Sequence, residues 1–453
     1  MIVGIVGARR AGGPRILVEN GTYRLRDRGD IAALTITVER LRERWPLARI
    51  GVLTHRPAVL RGLSPRVEPI SGPDWSWPSR DLRSRVRRTA AAKLVDPMAL
   101  RWQAAIADSR DRMRPWKVPR ASAPPQVFAA ARGVDLVLAA GGGYLCDAER
   151  DQAHRTLDLL EYAAAQGIPT AMVGQGIGPI EDAELAARAR KVLPAVDLIA
   201  VRESERGPRL LTDLGVPPAR IMVTGEDAIE YAYRLRDARI GDDIGLCVRL
   251  NDSIGKAAMA ALGTAVRKLA SHLNAGILPL IGSENDRRAT LYLMAGSDRA
   301  RPAVSPTATA TEVARRIAGC RVVITASYNL AVCALAQGIP AVALAESPCA
   351  AARFRGLATM FDADMCVLRL DSPTLDSDLA TAVRTSWSDA PLLRDPLHER
   401  ALAQIEAGRT ALDRVFDLVA GDRPGCHAPV DGSSVIWSFG DPRSSAEIVV
   451  PRR

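Results

Sequence analysis

The stretch Thr325-Ala326-Ser327-Tyr328-Asn329-Leu330-Ala331-Val332-Cys333-Ala334-Leu335-Ala336-Gln337-Gly338-Ile339-Pro340 decides the fold of this chain. An apolar strand ends at Thr325, a polar turn follows, residues 330–337 form an apolar helical run, and Gly338 stops it. Residues 340–344 then read as a second strand. Strand, turn, helix and strand make a βαβ step. Its polar turn lies at the carboxyl end of the first strand, where open α/β sheets bind their ligands. Ser327 fits two roles there, a plain helix cap or a ligand contact.

Similar punctuation recurs along the chain. Strands at 16–19, 49–54, 134–139, 169–174, 196–201 and 220–224 alternate with helices at 31–45, 151–166, 181–193 and 205–214. Such alternation predicts a doubly wound parallel sheet. The pattern restarts with strands at 244–249, 276–281, 321–325, 341–344 and 365–370, and helices at 253–273, 311–317 and 330–337. A charged stretch, 235–243, separates the two runs. The fold class is therefore α/β, with two Rossmann-like domains, 1–238 and 239–375, facing a cleft. Residues 375–383 and 397–419 look helical, and a C-terminal helical segment, 376–420, is expected to pack back on the first domain. The tail, 421–453, is rich in Gly, Pro and Ser and reads as irregular.

Residues 57–126, rich in Pro, Trp and Arg, read as an insertion in the first domain. Within them Arg80, Arg83, Arg85, Arg87, Arg88 and Lys93 cluster around a single acid, Asp81. This is either a solvated helical face or a surface for anionic lipid. The net charge of +10 favours anionic partners. Aromatics make up only 4% of the chain and form no basic-aromatic array, so no nucleic-acid partner is expected. No apolar run is long enough to span a bilayer, and residues 1–7 lack the charged start of a signal peptide. A cytoplasmic location is expected, with membrane association through the basic cluster. The seven cysteines form no CxxC pair, which points to reduced, buried thiols and no metal site.

Candidate binding residues sit at strand ends. In Arg28-Gly29-Asp30, between the first strand and its helix, Gly29 allows close approach of a ligand. Asp30 either caps the helix or touches a sugar hydroxyl. Gly141-Gly142-Gly143 follows a fully apolar strand and serves either ligand approach or tight packing. Gly174-Gln175-Gly176-Ile177-Gly178-Pro179 follows another, with Gln175 as a hydrogen-bonding side chain and Gly176 as an exposed N–H. Arg202 is either an anion clamp or a partner of Glu203 or Glu205. Glu226 and Asp227 are either acid-base groups or caps. Arg249 is a second candidate clamp.

Taken in order, these motifs resemble the polysaccharide pyruvyl transferase family. The matching elements are Gly29-Asp30, Gly141-Gly142-Gly143, Gly174-Gln175-Gly176-Ile177-Gly178-Pro179, Val201-Arg202-Glu203-Ser204, Gly225-Glu226-Asp227-Ala228, Arg249, Leu278-Pro279 and the 327–340 block. The resemblance implies a fold similar to the GT-B glycosyltransferases. It implies transfer of the pyruvyl group of phosphoenolpyruvate to a sugar of a cell-surface polysaccharide or glycolipid precursor, as a ketal, with no separate cofactor. It implies catalytic roles for Tyr328, Asn329, Glu226 and Asp227. Gly29, Asp30, Gly141, Gly142, Gly143, Gln175, Gly176, Arg202, Arg249 and Ser327 would bind substrate. The partners implied are phosphoenolpyruvate and a glycan or glycolipid acceptor. The sequence departs from the family in two respects, the first being that Arg24 to Arg28 replace its usual glycine-rich lead. Asn329 stands at the position where the family usually has histidine, and asparagine supplies no proton at neutral pH. The five histidines, His55, His154, His272, His398 and His427, all lie outside this block. Two alternatives follow: a GT-B nucleotide-sugar glycosyltransferase, or a non-catalytic glycan-binding relative.

Overall fold

The structure is a computed structural model, and it describes residues 13–21, 23–71, 126–249 and 256–421. The basic cluster at 80–93 and residues 422–453 lie outside the described residues. The first sheet contains β1 (Arg15–Glu19), β2 (Arg49–Leu53), β3 (Glu68–Ile70), β4 (Leu136–Ala139), β5 (Gly142–Leu145), β6 (Thr170–Ile177), β7 (Leu198–Val201) and β8 (Ile221–Val223). Its order is β3-β2-β1-β4-β6-β7-β8, with β5 paired to β6. The second contains β9 (Asp243–Cys247), β10 (Gly276–Pro279), β11 (Cys320–Thr325), β12 (Ala341–Ala345) and β13 (Val367–Arg369), in the order β10-β9-β11-β12-β13. The pairings in both sheets are parallel. Strands such as Leu136–Ala139 and Ala341–Ala345 are buried throughout because helices cover both faces of a parallel sheet.

Strand order reverses at β1/β4 in the first sheet and at β9/β11 in the second. The segments following these strands, from 20, 140, 248 and 326 onward, therefore lie at topological switch points, where crevices open.

Several local expectations are corrected. The helix after β1 is Arg28–Arg44, and its N-cap is Asp27, whose Oδ1 accepts from the backbone N–H of Gly29 at 2.8 Å and of Asp30 at 3.4 Å. Asp30 is thus a residue of the first turn and not the cap. The glycines at 142 and 143 do not form a loop. They belong to β5, and β6 continues through Gly174-Gln175-Gly176 to Ile177, a place where another group must come close to the backbone. Residues 57–71 are no insertion: helix Pro57–Leu63 and β3 extend the first sheet. Helices Glu284–Met294 and Pro348–Phe361 were not anticipated.

The two helical stretches at the C-terminal end are one continuous helix, Leu375–Ala420, which includes Pro391 and Pro396. Both prolines are exposed, so water can satisfy the carbonyls that lose their N–H partners. Leu379 and Val383 pack in the core of the second sheet, and Leu412, Val415 and Phe416 pack beside Ile16 and Val18 of the first. This helix joins the two halves.

Candidate active site

The carboxyl ends of the two sheets meet across a crevice. Arg28 is the main strut. It is buried, and its guanidinium donates to the carbonyls of Ile281 at 3.1 Å and Ala308 at 2.9 Å, on the second sheet's side. Its backbone N–H donates to the Gly282 carbonyl at 3.2 Å. Beside it, Asn329 Nδ2 donates to Asp27 Oδ1 at 2.7 Å. Gly29 makes this approach feasible, since a Cβ there would collide with the Asn329 side chain.

Arg202, at the end of β7, forms the floor. Its Nη1 donates to Glu226 Oε2 at 2.7 Å, and its guanidinium carbon lies 4.3 Å from the centre of the Tyr328 ring. Nε and Nη2 lie over Gly176 and Gly143, at 2.6 Å and 2.8 Å from where side-chain carbons would start. That close approach explains the glycines at these positions. Glu203 does not pair with Arg202. Its carboxylate accepts the N–H groups of Glu205, Arg206 and Gly207, which open helix Arg206–Asp213. Desolvation opposes the charge on Arg202, but Tyr328, Glu226 and Asp30 outweigh it and raise its pKa. The Tyr328 hydroxyl is pushed up to about 12, by burial first.

Above this floor lies a cavity of about 670 Å³, lined by Gly143, Gly176, Arg202, Tyr328 and, from the second sheet's side, Arg353. Arg206 and Arg209 also reach it. Arg206, Arg209 and Arg353 are exposed, and among the described residues none of their guanidiniums has an ion-pair partner.

Several carboxylates gather at the side of the crevice. Asp227 pairs with Arg40 at 3.1 Å, and Arg40 with Glu230 at 2.6 Å, all buried. Burial pushes Asp227 up to about 6 against the pull of Arg40, and its Oδ2 has no hydrogen-bond partner. Asp227 occupies the N-cap position of helix Ala228–Arg234 without a side-chain cap bond. Asp30 is raised well above the ordinary aspartate range, by desolvation first, then by the charges of Asp27 and Glu226.

The crevice brings together Gly29, Asp30, Gly141, Gly143, Gly176, Arg202, Glu226, Asp227, Tyr328 and Asn329. Gln175 does not face it. Its buried amide donates to the Ala140 carbonyl at 2.7 Å and to the Tyr144 hydroxyl at 3.0 Å, fastening β4 to β6. Gly142 packs on the Tyr144 ring. Arg249 is held by Asp286 at 2.9 Å and lies outside the cavity lining. Ser327 occupies the cap position of helix Tyr328–Ala336 without a side-chain cap bond. Among the described residues, no group of three or more His, Cys, Asp or Glu could hold a metal ion.

The sequence reading missed Asp27, Arg40 and Arg353. An acid just before a helical run is a cap signal that points to Asp27. Arg353 had no such signal, because it sits on an unanticipated helix.

The overall architecture matches solved GT-B structures. UDP-GlcNAc 2-epimerase from Neisseria meningitidis, bound to UDP-GlcNAc, superposes with a TM-score of 0.54 at 11% identity, covering 90% of this chain and 100% of that one. MnaA from S. aureus, in a co-structure with UDP, gives 0.54 at 15% identity, covering 93% and 100%. UDP-GlcNAc 2-epimerase from Methanocaldococcus jannaschii gives 0.55 at 11% identity, covering 89% and 99%. These identities establish the fold alone. A search of curated proteins finds no match. Residues 28–348, however, match the polysaccharide pyruvyl transferase family. The chain belongs to the polysaccharide pyruvyl transferase family.

Proposed function

We propose that the protein transfers the pyruvyl group of phosphoenolpyruvate to two hydroxyls of a sugar, forming a ketal on a polysaccharide or glycolipid precursor. One observation carries this reading. Arg202 is fixed by Glu226 and Tyr328, while its Nε and Nη2 lie against two glycines of the cavity lining and have no hydrogen-bond acceptor among the described residues. A guanidinium held in this way suits a carboxylate or a phosphate, and phosphoenolpyruvate carries both. Arg206, Arg209 and Arg353 line the same cavity and favour a second anionic group.

The chemistry needs a proton on the methylene carbon of phosphoenolpyruvate, which leaves an oxocarbenium-like centre for a sugar hydroxyl to attack. Departure of phosphate and attack by a second hydroxyl close the ketal. Cations offset the charge building on phosphate. Among the described residues no helix is long and apolar enough to cross a membrane. Access to a lipid-linked acceptor would come from peripheral contact.

The test is phosphate release from phosphoenolpyruvate, with p-nitrophenyl glycosides of galactose, glucose, mannose and N-acetylmannosamine as acceptors and mass spectrometry of the products. Ketal-bearing product in the wild type, with Arg202→Lys raising KM for phosphoenolpyruvate about tenfold or more, supports the reading. Consumption of a UDP-sugar instead, or glycan binding with no turnover, would overturn it in favour of glycosyl transfer or a non-catalytic role.

A further inference from the structure

We propose that Glu226 Oε1, Asp227 Oδ2 and the Gly174 carbonyl oxygen form a binding site for a monovalent alkali-metal cation, sodium or potassium. The site lies at the carboxyl end of the first sheet, and Glu226 joins it to Arg202. It does not depend on the donor assigned above.

The geometry begins at Gly141, just after β4. The φ of Gly141 is not positive, so its backbone does not require glycine. Its surroundings do. A side-chain carbon built there would meet Asp227 Oδ2, Glu226 Oε1 and the Gly174 carbonyl oxygen, each at 3.3 Å. Apart from Gly141 and its chain neighbours, these oxygens are the three nearest heavy atoms to that point. One comes from β6 and two from the turn after β8. A carbonyl and an ionised carboxylate only accept hydrogen bonds. Three acceptors therefore converge on one place, and Gly141 keeps that place clear of carbon.

The protein gives them no matching donor. Asp227 is 5% exposed, and its Oδ2 has no hydrogen-bond partner among the described residues. That oxygen lies close on Gly174, 2.6 Å from where a side-chain carbon would start. The other, Oδ1, takes Arg40 Nη1 at 3.1 Å, and Arg40 is shared with Glu230 at 2.6 Å. Glu226 is 7% exposed, and its Oε2 takes Arg202 Nη1 at 2.7 Å. Among the described residues no donor reaches its Oε1. Each carboxylate thus gives one oxygen to a guanidinium and turns the other toward the same point. A buried acceptor without a donor is destabilising, and two like charges facing each other add repulsion. A cation among the three oxygens relieves both.

Charge and ligand number select the ion. Arg40 and Arg202 already offset part of the negative charge, so one further positive charge suits the site better than two. Calcium takes about six to eight oxygens, and magnesium demands a near-ideal octahedron. Three protein oxygens, two of them shared with arginines, fit a more loosely held ion. Such an ion fixes Glu226 through Oε1 while Oε2 fixes Arg202, so its binding steadies the guanidinium at the cavity.

The experiment uses the full-length chain, dialysed into tetramethylammonium chloride, whose cation is too bulky for the site. Melting temperature is measured as lithium, sodium or potassium chloride replaces it at constant ionic strength. A saturable rise of about 2 °C or more, different for the three salts, is expected. Gly141→Ala puts a methyl group among the oxygens and is expected to lose the ion-specific rise. Asp227→Asn removes one of the charges and is expected to lose it too, and it decides the matter should Gly141→Ala fail to fold. Wild-type crystals soaked in rubidium chloride are expected to show an anomalous peak bonded to Glu226 Oε1, Asp227 Oδ2 and the Gly174 oxygen, which needs neither a variant nor turnover. Equal melting temperatures in all the chlorides would overturn the assignment. So would an ion-specific rise that survives in Gly141→Ala, or an ordered water with no rubidium peak at this point.

Discussion

Asn329 and Asp27 are joined by a 2.7 Å hydrogen bond that runs from the helix after β11 to the cap of the helix after β1. One carboxylate oxygen thus both opens a helix and ties the two sheets together. The contact depends on Gly29, where a Cβ would collide with Asn329.

Gly29→Ala separates these functions. Alanine is favoured over glycine in a helix by about 1 kcal/mol, so the Arg28–Arg44 helix itself is not weakened. The methyl group displaces Asn329 and opens the crevice. We expect kcat/KM for phosphoenolpyruvate to fall about tenfold or more while the melting temperature shifts by no more than a few degrees. Loss of both together would mean that Gly29 serves folding only.

Asn329→His tests the proton source. Imidazole can keep an N–H toward Asp27 and present a second, titratable nitrogen to the crevice. The substitution is expected to raise phosphate release about tenfold or more, since general acids contribute about 10²–10⁴-fold. Stopped assays across pH 5.5–8 read it, and the added rate falls as histidine deprotonates. No gain with phosphoenolpyruvate binding intact would mean that position 329 does not reach the methylene carbon.

Much of the fold was legible because fully buried parallel strands are continuous apolar runs bounded by glycine and polar turns. That pattern is plain at Leu136–Ala139 and around Cys320–Thr325. The site was legible only to the extent that it lies at strand ends, as Arg202 and Tyr328 do. What Gln175 does was not, because an amide at a strand end looks the same whether it faces a ligand or fastens neighbouring carbonyls. Gly143 and Gly176 read as a loop because their reason is a side chain from elsewhere, Arg202, lying on the strands. Helix Leu375–Ala420 read as two because Pro391 and Pro396 signal breaks, and only packing against both sheets overrides them.

Arg353 offers a clean test of the cavity. It is exposed, lines the cavity from the second sheet's side, and has no ion pair among the described residues. Arg353→Ala is therefore expected to change stability by less than about 0.5 kcal/mol. Binding of phosphoenolpyruvate is expected to weaken about five- to fiftyfold, and the remaining binding to depend less on salt. Calorimetric titration at two ionic strengths decides it. Unchanged affinity at both would place the donor's anionic groups away from this helix.

Glu19 sets a pH dependence of stability separate from the chemistry. It ends β1, is wholly buried, and accepts from the Tyr23 hydroxyl at 2.7 Å, the Gly21 N–H at 3.0 Å and Gln152 Nε2 at 2.8 Å. Burial outweighs these donors and pushes its pKa from 4.5 up to about 7. A carboxyl with a raised folded-state pKa favours the fold in its protonated form. Its contribution is complete below about pH 4.5 and is lost as pH rises through about 7. The loss amounts to about 3 kcal/mol on the linkage scale of 1.36 kcal/mol per pKa step. Asp227, raised to about 6, acts in the same direction, and His398, lowered from 6.5, acts in the opposite one. The wild-type curve alone is therefore a mixture, and the difference between wild type and Glu19→Gln isolates Glu19. Glutamine can still accept from Tyr23 and never ionises. Its urea-unfolding free energy, relative to wild type, is expected to improve by about 3 kcal/mol between pH 4.5 and pH 8. Parallel curves for the two proteins across that range would show that Glu19 is ionised in the fold, with the Tyr23 and Gln152 donors outweighing its burial.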